Sequence, residues 1–233
     1  MRLPSIAIAI LLTGCTSAIQ DNLAMNDVLT VGDSFTSSFL VPTEDGAILF
    51  DAGITASGKP LADALAALGL STADVTDVFL SHGHGDHVAG LPAFDRARIR
   101  AFAAEQAVLD EEETAVSIDA PVADGELVRI GGRTVETFHV PGHTPGAGVY
   151  LVDGVLLMGD SAVATSGGRL EQPPERYSAD VAQLDRSLFA LRDRLRPRAS
   201  DVDWIAYSHS GPTEGLGALE AYTGRDDFME SQE

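Results

Sequence analysis

Three of the chain's six histidines fall within six positions, His82-Gly83-His84-Gly85-Asp86-His87, immediately after the apolar run at 75–80. No other stretch constrains the fold so tightly. A short run rich in valine, leucine and phenylalanine is a buried strand, so the imidazoles sit just past a strand end. At such a loop tip three rings flanked by glycines have no core to fill. Neutral imidazole is the commonest metal ligand, and a carboxylate beside it compensates the charge of a divalent cation. Glycine lets the backbone bend until alternate side chains converge. The chain must therefore fold so that this loop opens on an edge that other ligands can reach.

The remaining pattern supplies such an edge. Strand signals at 35–41 and 47–50 are separated by a turn at 43–46. Leu61, Ala64, Leu65 and Leu68 then recur at helical spacing, with Gly69 as the C-cap. Further on, Gly131-Gly132 and Asp153-Gly154 each divide two short apolar runs, at 127–130 and 134–138 and at 149–152 and 155–158, as hairpin turns do. Val181, Leu184, Leu188, Leu191 and Leu195 mark an amphipathic helix stopped by Pro197, and 204–207 reads as a last strand. Two rounds of strands followed by helices predict an α/β protein in which a pair of sheets packs together under helices. His143, Asp160 and His209 each follow a predicted strand, so they can gather at one sheet edge. Five histidines and two aspartates exceed what one four-coordinate zinc can use. Two divalent ions sharing a carboxylate fit the count. His139 alternates with Phe138 and Val140 on a strand and reads as a structural or pocket-wall residue, and the acidic run at 110–113 reads as solvated surface.

Composition narrows the partners. The formal net charge is −20, from 35 acidic against 15 basic side chains, and Lys59 is the sole lysine. Such a surface repels phosphate backbones and argues against a nucleic-acid partner; a small-molecule substrate is the expectation. At the N-terminus Arg2 precedes an uncharged, mostly apolar run at 3–12, shorter than the about 20 residues a membrane-spanning helix needs. That layout is a secretory signal peptide. It ends Leu12-Thr13-Gly14-Cys15, which resembles a bacterial lipobox. The resemblance implies removal of 1–14, lipidation of Cys15, a tether over 15–26, a functional domain over 27–233, and a lipoprotein of the cell envelope facing the periplasm. Cys15 is the only cysteine, so the body holds no disulfide and no cysteine-ligated metal.

The histidine-rich stretch, with Gly142-His143-Thr144, Gly159-Asp160 and Ser208-His209, resembles the metallo-β-lactamase superfamily in the order and approximate spacing of its ligands. Upstream, the stretch ending Asp51-Ala52-Gly53 is similar to the strand and acidic turn that precede the motif in that family. The resemblance implies a four-layer αβ/βα sandwich with the metals in a cleft at its edge. It implies that His82, His84 and His143 hold one ion, that Asp86, His87 and His209 hold another, and that Asp160 bridges them. Asp51 corresponds to a residue that orients ligands, and Asp86 doubles as a proton acceptor. Most such enzymes are zinc hydrolases, with iron or manganese as alternatives. The implied reaction is attack of a metal-bridging hydroxide on an ester, lactone or thioester. Two rivals stay open: a β-lactamase of the all-histidine type, and a mononuclear-iron persulfide dioxygenase. A non-catalytic metal-binding lipoprotein is the plainest alternative.

Overall fold

The computed structural model describes residues 16–112 and 114–225. The predicted signal segment 1–14 and Cys15 lie outside the described residues. Strands β1 (Ala24–Met25), β2 (Val28–Asp33), β3 (Thr36–Thr43), β4 (Gly46–Phe50), β5 (Val75–Phe79) and β6 (Arg98–Arg100) form one six-stranded sheet in that spatial order. The second sheet contains β7 (Leu127–Ile130), β8 (Arg133–His139), β9 (Gly148–Val152), β10 (Val155–Leu157), β13 (Trp204–Ala206) and β14 (Thr213–Glu214). Its spatial order is β14-β13-β10-β9-β8-β7. A separate ribbon pairs β11 (Val163–Ala164) with β12 (Leu170–Glu171).

Side-chain alternation divides the core into three layers. Phe39, Val41, Ile48 and Phe50 meet Val135, Tyr150, Val152, Val155 and Leu157 between the two sheets. The alternate residues Leu40 and Leu49 point the other way, onto Leu61 and Leu65 of helix α1 (Lys59–Ala67). On the far side, Val149, Leu151 and Leu156 pack against Leu184, Leu188, Leu191 and Leu195, the apolar stripe of a long helix (Val181–Leu195). The result is the αβ/βα sandwich expected from the sequence. Burying a leucine or valine side chain contributes about 1.5–3 kcal/mol, so each helix is held mainly by its stripe.

Parallel pairing sets where the site lies. Strands β4 and β5, β5 and β6, and β10 and β13 run parallel, so each pair needs a crossover that returns the chain to the same end. One crossover carries α1; the next carries a single turn α2 (Gly85–Val88). After the short α3 (Gln106–Glu111), the long helix, here α4, carries the crossover from β10 to β13; α5 (Gly217–Glu220) follows. The carboxyl ends of β5, β10 and β13 therefore open onto ligand-bearing loops, as in other α/β folds.

Local differences from the sequence reading have local causes. Helix α1 ends at Ala67, and Leu68 caps it at 46% exposure instead of lying on the buried stripe. Gly69 adopts φ +76°, the left-handed geometry that closes a helix. Residues 16–26 lie along the body. Ser17 N donates to Ala164 O at 3.0 Å, Gly211 N donates to Ser17 O at 3.2 Å, and β1 pairs antiparallel with β2. Asp110, Glu111 and Glu112 are exposed, as the solvated reading required.

Candidate metal centre

Four loops deliver the polar cluster. The loop after β5 brings His82 and His84 and leads into α2, whose single turn carries Asp86 and His87. His143 enters from the turn after β8, Asp160 from the turn after β10, and His209 from the turn after β13. All seven predicted ligands come together. His82, His84 and His143 form one compact donor group; Asp86, His87 and His209 form another; His82, His87 and Asp160 form a third between them. In each group the donor atoms lie within 4.8 Å of one another.

Asp160 is the hinge of this arrangement. Its Oδ2 lies 3.7 Å from His143 Nε2 and 4.0 Å from His82 Nε2 on one side, and 3.1 Å from His209 Nε2 on the other. Its Oδ1 lies 3.3 Å from His87 Nε2. Asp86 Oδ2 approaches His209 Nε2 at 3.3 Å and His87 Nε2 at 3.6 Å. Imidazole rings crowd together, with His82 and His87 centroids 4.0 Å apart.

Each histidine of the cluster but His84 has one ring nitrogen fixed from outside it. Asp51 Oδ2 holds His87 Nδ1 at 2.8 Å, and the Phe35 carbonyl accepts from His209 Nδ1 at 2.8 Å. Ser81 Oγ faces His82 Nδ1 at 3.0 Å, and Ser178 Oγ faces His143 Nδ1 at 3.4 Å. The carboxylate of Asp51 also accepts from Ser81 N and Ser81 Oγ, at 2.7 Å each. Fixing one nitrogen sets the tautomer and turns the other toward the cluster, as outer partners of metal-bound imidazoles do. The sequence reading named Asp51 and placed Phe35 at the start of a strand. It missed the role of the Phe35 carbonyl, and it missed Ser178 and the buried Glu105, for which no local pattern exists.

Charge is divided unevenly. Burial drives His82 well below the ordinary imidazole value and His143 down to about 3, although Asp160 opposes both shifts. Burial also pushes His209 down, but Asp160 and Asp86 outweigh it and carry the ring up to about 10. His87 is likewise raised, because Asp86, Asp160 and Asp51 overcome its burial. Burial acts to raise Asp160, yet His209 and His87 hold it well below the usual carboxylate range.

The donor set fits divalent cations. Among the described residues His82 Nε2, His87 Nε2, His209 Nε2 and Asp160 Oδ1 are buried without a hydrogen-bond partner, and all four face the cluster. His84 Nδ1 and His143 Nε2 face one another at 3.1 Å. Orphaned buried polar atoms are costly unless something neutralises them. Nitrogen and carboxylate donors in two adjoining groups supply that as a binuclear metal site. His139 lies apart: exposed, it contacts the Pro145 carbonyl at 3.0 Å through Nε2 and packs at a tilt against the Phe102 ring.

A two-sheet sandwich with a histidine-aspartate cluster at the carboxyl ends of its strands defines a class of metal-dependent protein. The chain belongs to the metallo-beta-lactamase superfamily, whose family profile matches residues 31–209. It is 37% identical over 132 residues to a hydroxyacylglutathione hydrolase of Cereibacter sphaeroides, covering 54% of this chain and 48% of that protein. It is 32% identical over 162 residues to a protein of the same name from a Synechococcus strain, covering 66% of this chain and 57% of that one. The chain thus spans about half the length of the curated relatives it matches. Among solved structures, a motif variant of a metallo-beta-lactamase from Cronobacter sakazakii matches with a TM-score of 0.63 and 27% identity, covering 87% of this chain and 83% of that one.

Proposed function

We propose that this protein is a metal-dependent hydrolase of an ester, lactone or thioester bond, with two divalent ions, zinc by preference. The single observation that carries the reading is the convergence of seven ligand side chains, four of which turn a buried, unpartnered donor atom into the cluster. His82, His84 and His143 would hold one ion, Asp86, His87 and His209 the other, with Asp160 between them. Bound there, the pair would supply Lewis acidity, polarising an acyl carbonyl and acidifying water toward a pKa of ~7.

The chain's own residues do the rest. Asp51 keeps His87 Nε2 turned inward, and the Phe35 carbonyl does the same for His209. Asp86 is 17% exposed against 7% for Asp160, so it is the more open of the two carboxylates. As the more open carboxylate it would take a proton from an attacking water and hold it for the leaving group. Burial of His82, His87 and His143 keeps bulk water from the far side of the cluster. No serine nucleophile is required: Ser81 Oγ is committed to Asp51.

Metal analysis of the purified protein, followed by one panel of lactones, thioesters, phosphoesters and β-lactams, tests the reading. Two zinc per chain with lactone or thioester turnover supports it. A second reading, β-lactam hydrolysis, is favoured by the likeness to the Cronobacter enzyme, and rapid β-lactam turnover would promote it. One iron per chain with oxygen uptake on a persulfide would displace both.

The N-terminal pattern supports a further part of the proposal: 1–14 is a cleaved signal, Cys15 carries the lipid, 15–26 leads to the domain over 27–233, and the protein faces the periplasm. Among the described residues no helix is long and apolar enough to cross a membrane. Cys15→Ser is expected to abolish lipid labelling and release the protein from the membrane fraction; unchanged retention would refute the anchor.

A further inference from the structure

Glu105 stands outside the ligand set, yet it is fully buried. It lies beyond β6, next to the first residue of α3. Its two carboxylate oxygens reach in different directions. Oε1 accepts from Gly83 N at 2.7 Å, the peptide between His82 and His84. Oε2 accepts from Thr144 Oγ1 and from Gly146 N, at 2.9 Å each, in the turn that carries His143. All three donors are uncharged, and burial raises the carboxyl above its ordinary value. A buried carboxylate satisfied only by neutral donors is costly to keep, so its position calls for a reason beyond packing.

The two loops it joins are far apart in sequence and meet at the site. His84 Nδ1 and His143 Nε2 stand 3.1 Å apart there. The turn is shaped to receive the carboxylate: a Cβ on Gly146 would fall 2.4 Å from Glu105 N and 2.7 Å from Oε2. Glycine at 146 is therefore what lets the peptide approach. Thr144 and Gly146, which follow His143 in its turn, thereby acquire a definite task.

We infer that Glu105 is a positioning residue, a carboxylate clamp that fixes the His82–His84 loop against the His143 turn and so presets the spacing of the first metal-binding triad. The inference rests on the binuclear reading for its metal consequence but not for the clamp itself. Glutamine at 105 is the sharp probe. One oxygen can still accept, but the amide NH2 then faces a peptide N–H or a hydroxyl proton, and one of the two links opens.

The test uses zinc alone with the full chain. In Glu105→Gln, chelator competition is expected to show the ion held by His82, His84 and His143 weakened about 10–100-fold, the range for lost outer partners of metal ligands, with the ion at the other set weakened less. Thr144→Val, which leaves Gly83 N and Gly146 N in place, is expected to move the same constant in the same direction by less. It also keeps the inference testable if the glutamine variant does not fold. Leu188→Ala, in the helix-side core, controls for loss of stability and is expected to leave both constants unchanged. Hydrogen exchange supplies a readout independent of metal: peptides spanning 82–87 and 142–148 are expected to lose protection together in Glu105→Gln, with 208–211 unaffected. Wild-type zinc constants in both Glu105→Gln and Thr144→Val would overturn the clamp. So would equal zinc loss in Leu188→Ala, or exchange that rises in only one of the two loops. A wild-type chain that binds no zinc would sink the functional reading alone, leaving exchange to decide the clamp.

Discussion

At the scale of single residues, the two halves of the cluster are prepared differently for a cation. His82 and His143 are held neutral by burial, so their lone pairs are free near neutral pH. His87 and His209 are held protonated by surrounding carboxylates, His209 up to about 10, so their lone pairs are blocked until a proton leaves. The sign follows directly. A proton competes with the metal at the second set throughout the range below about 10, so affinity there falls as pH falls and rises as pH rises. The first set is already deprotonated and is expected to change little between pH 6 and 8. Calorimetry in two buffers of different ionisation enthalpy is expected to show proton release with the second zinc and little with the first. Equal release in both steps would contradict this division. Asp160 faces both sets. Asp160→Asn is therefore expected to weaken zinc at least ~10-fold, since even outer partners cost that much, and to leave fewer than two zinc per chain by elemental analysis.

At the scale of elements, the N-terminal end of α4 is docked on the His143 turn. Asp180 caps the helix by accepting from Gln183 N at 2.8 Å, while its own N–H donates to Gly142 O at 2.8 Å. Ala179 N donates to His143 O at 3.0 Å, and Ser187 Oγ donates to Pro141 O at 2.8 Å. Gly142 has φ +138°, and a Cβ there would fall 2.3 Å from Leu184 N, which is helix backbone and cannot swing aside. Gly142→Ala is expected to cost about 1–3 kcal/mol through strain of this kind and to weaken the first zinc. Leu188→Ala, wholly buried on the same helix, is expected to cost about 2–5 kcal/mol without touching zinc affinity. Denaturant midpoints and chelator competition on the pair separate docking from packing. These elements also show what a sequence can disclose. The Gly131-Gly132 and Asp153-Gly154 turns were legible because both residues of each take positive φ, which few other residues tolerate. Helix α4 was legible because Leu184, Leu188, Leu191 and Leu195 keep one stripe over about three turns. Strand β6 at three residues, and β11, β12 and β14 at two, were not legible: elements so short have no period to read and exist through partners distant in sequence. The ligands announced themselves as histidines past strands, whereas Glu105 is one acid among 35 and only tertiary contact sets it apart.

At the scale of the whole molecule, the formal charge of −20 acts on whatever approaches the cluster. It draws divalent cations toward the site and repels anions over about a Debye length, ~10 Å at 0.1 M salt. The described ion pairs occupy much of the small cationic complement locally: Lys59 with Asp63, Arg100 with Asp77, Arg133 with Asp27 and Asp153, Arg194 with Asp124, and Arg198 with Glu136. A carboxylate-bearing acyl substrate therefore meets net repulsion before it meets the metals, and a neutral lactone or ester does not. For the anionic substrate, kcat/KM is expected to rise severalfold as salt is increased from low ionic strength, because screening removes the repulsion while leaving the buried cluster unchanged. For the neutral one it is expected to stay flat. Steady-state kinetics on a matched pair, one methyl ester and one free acid of the same acyl chain, checks the difference. A fall in kcat/KM with salt for the acid alone would mean that cationic groups at the mouth outweigh the acidic surface.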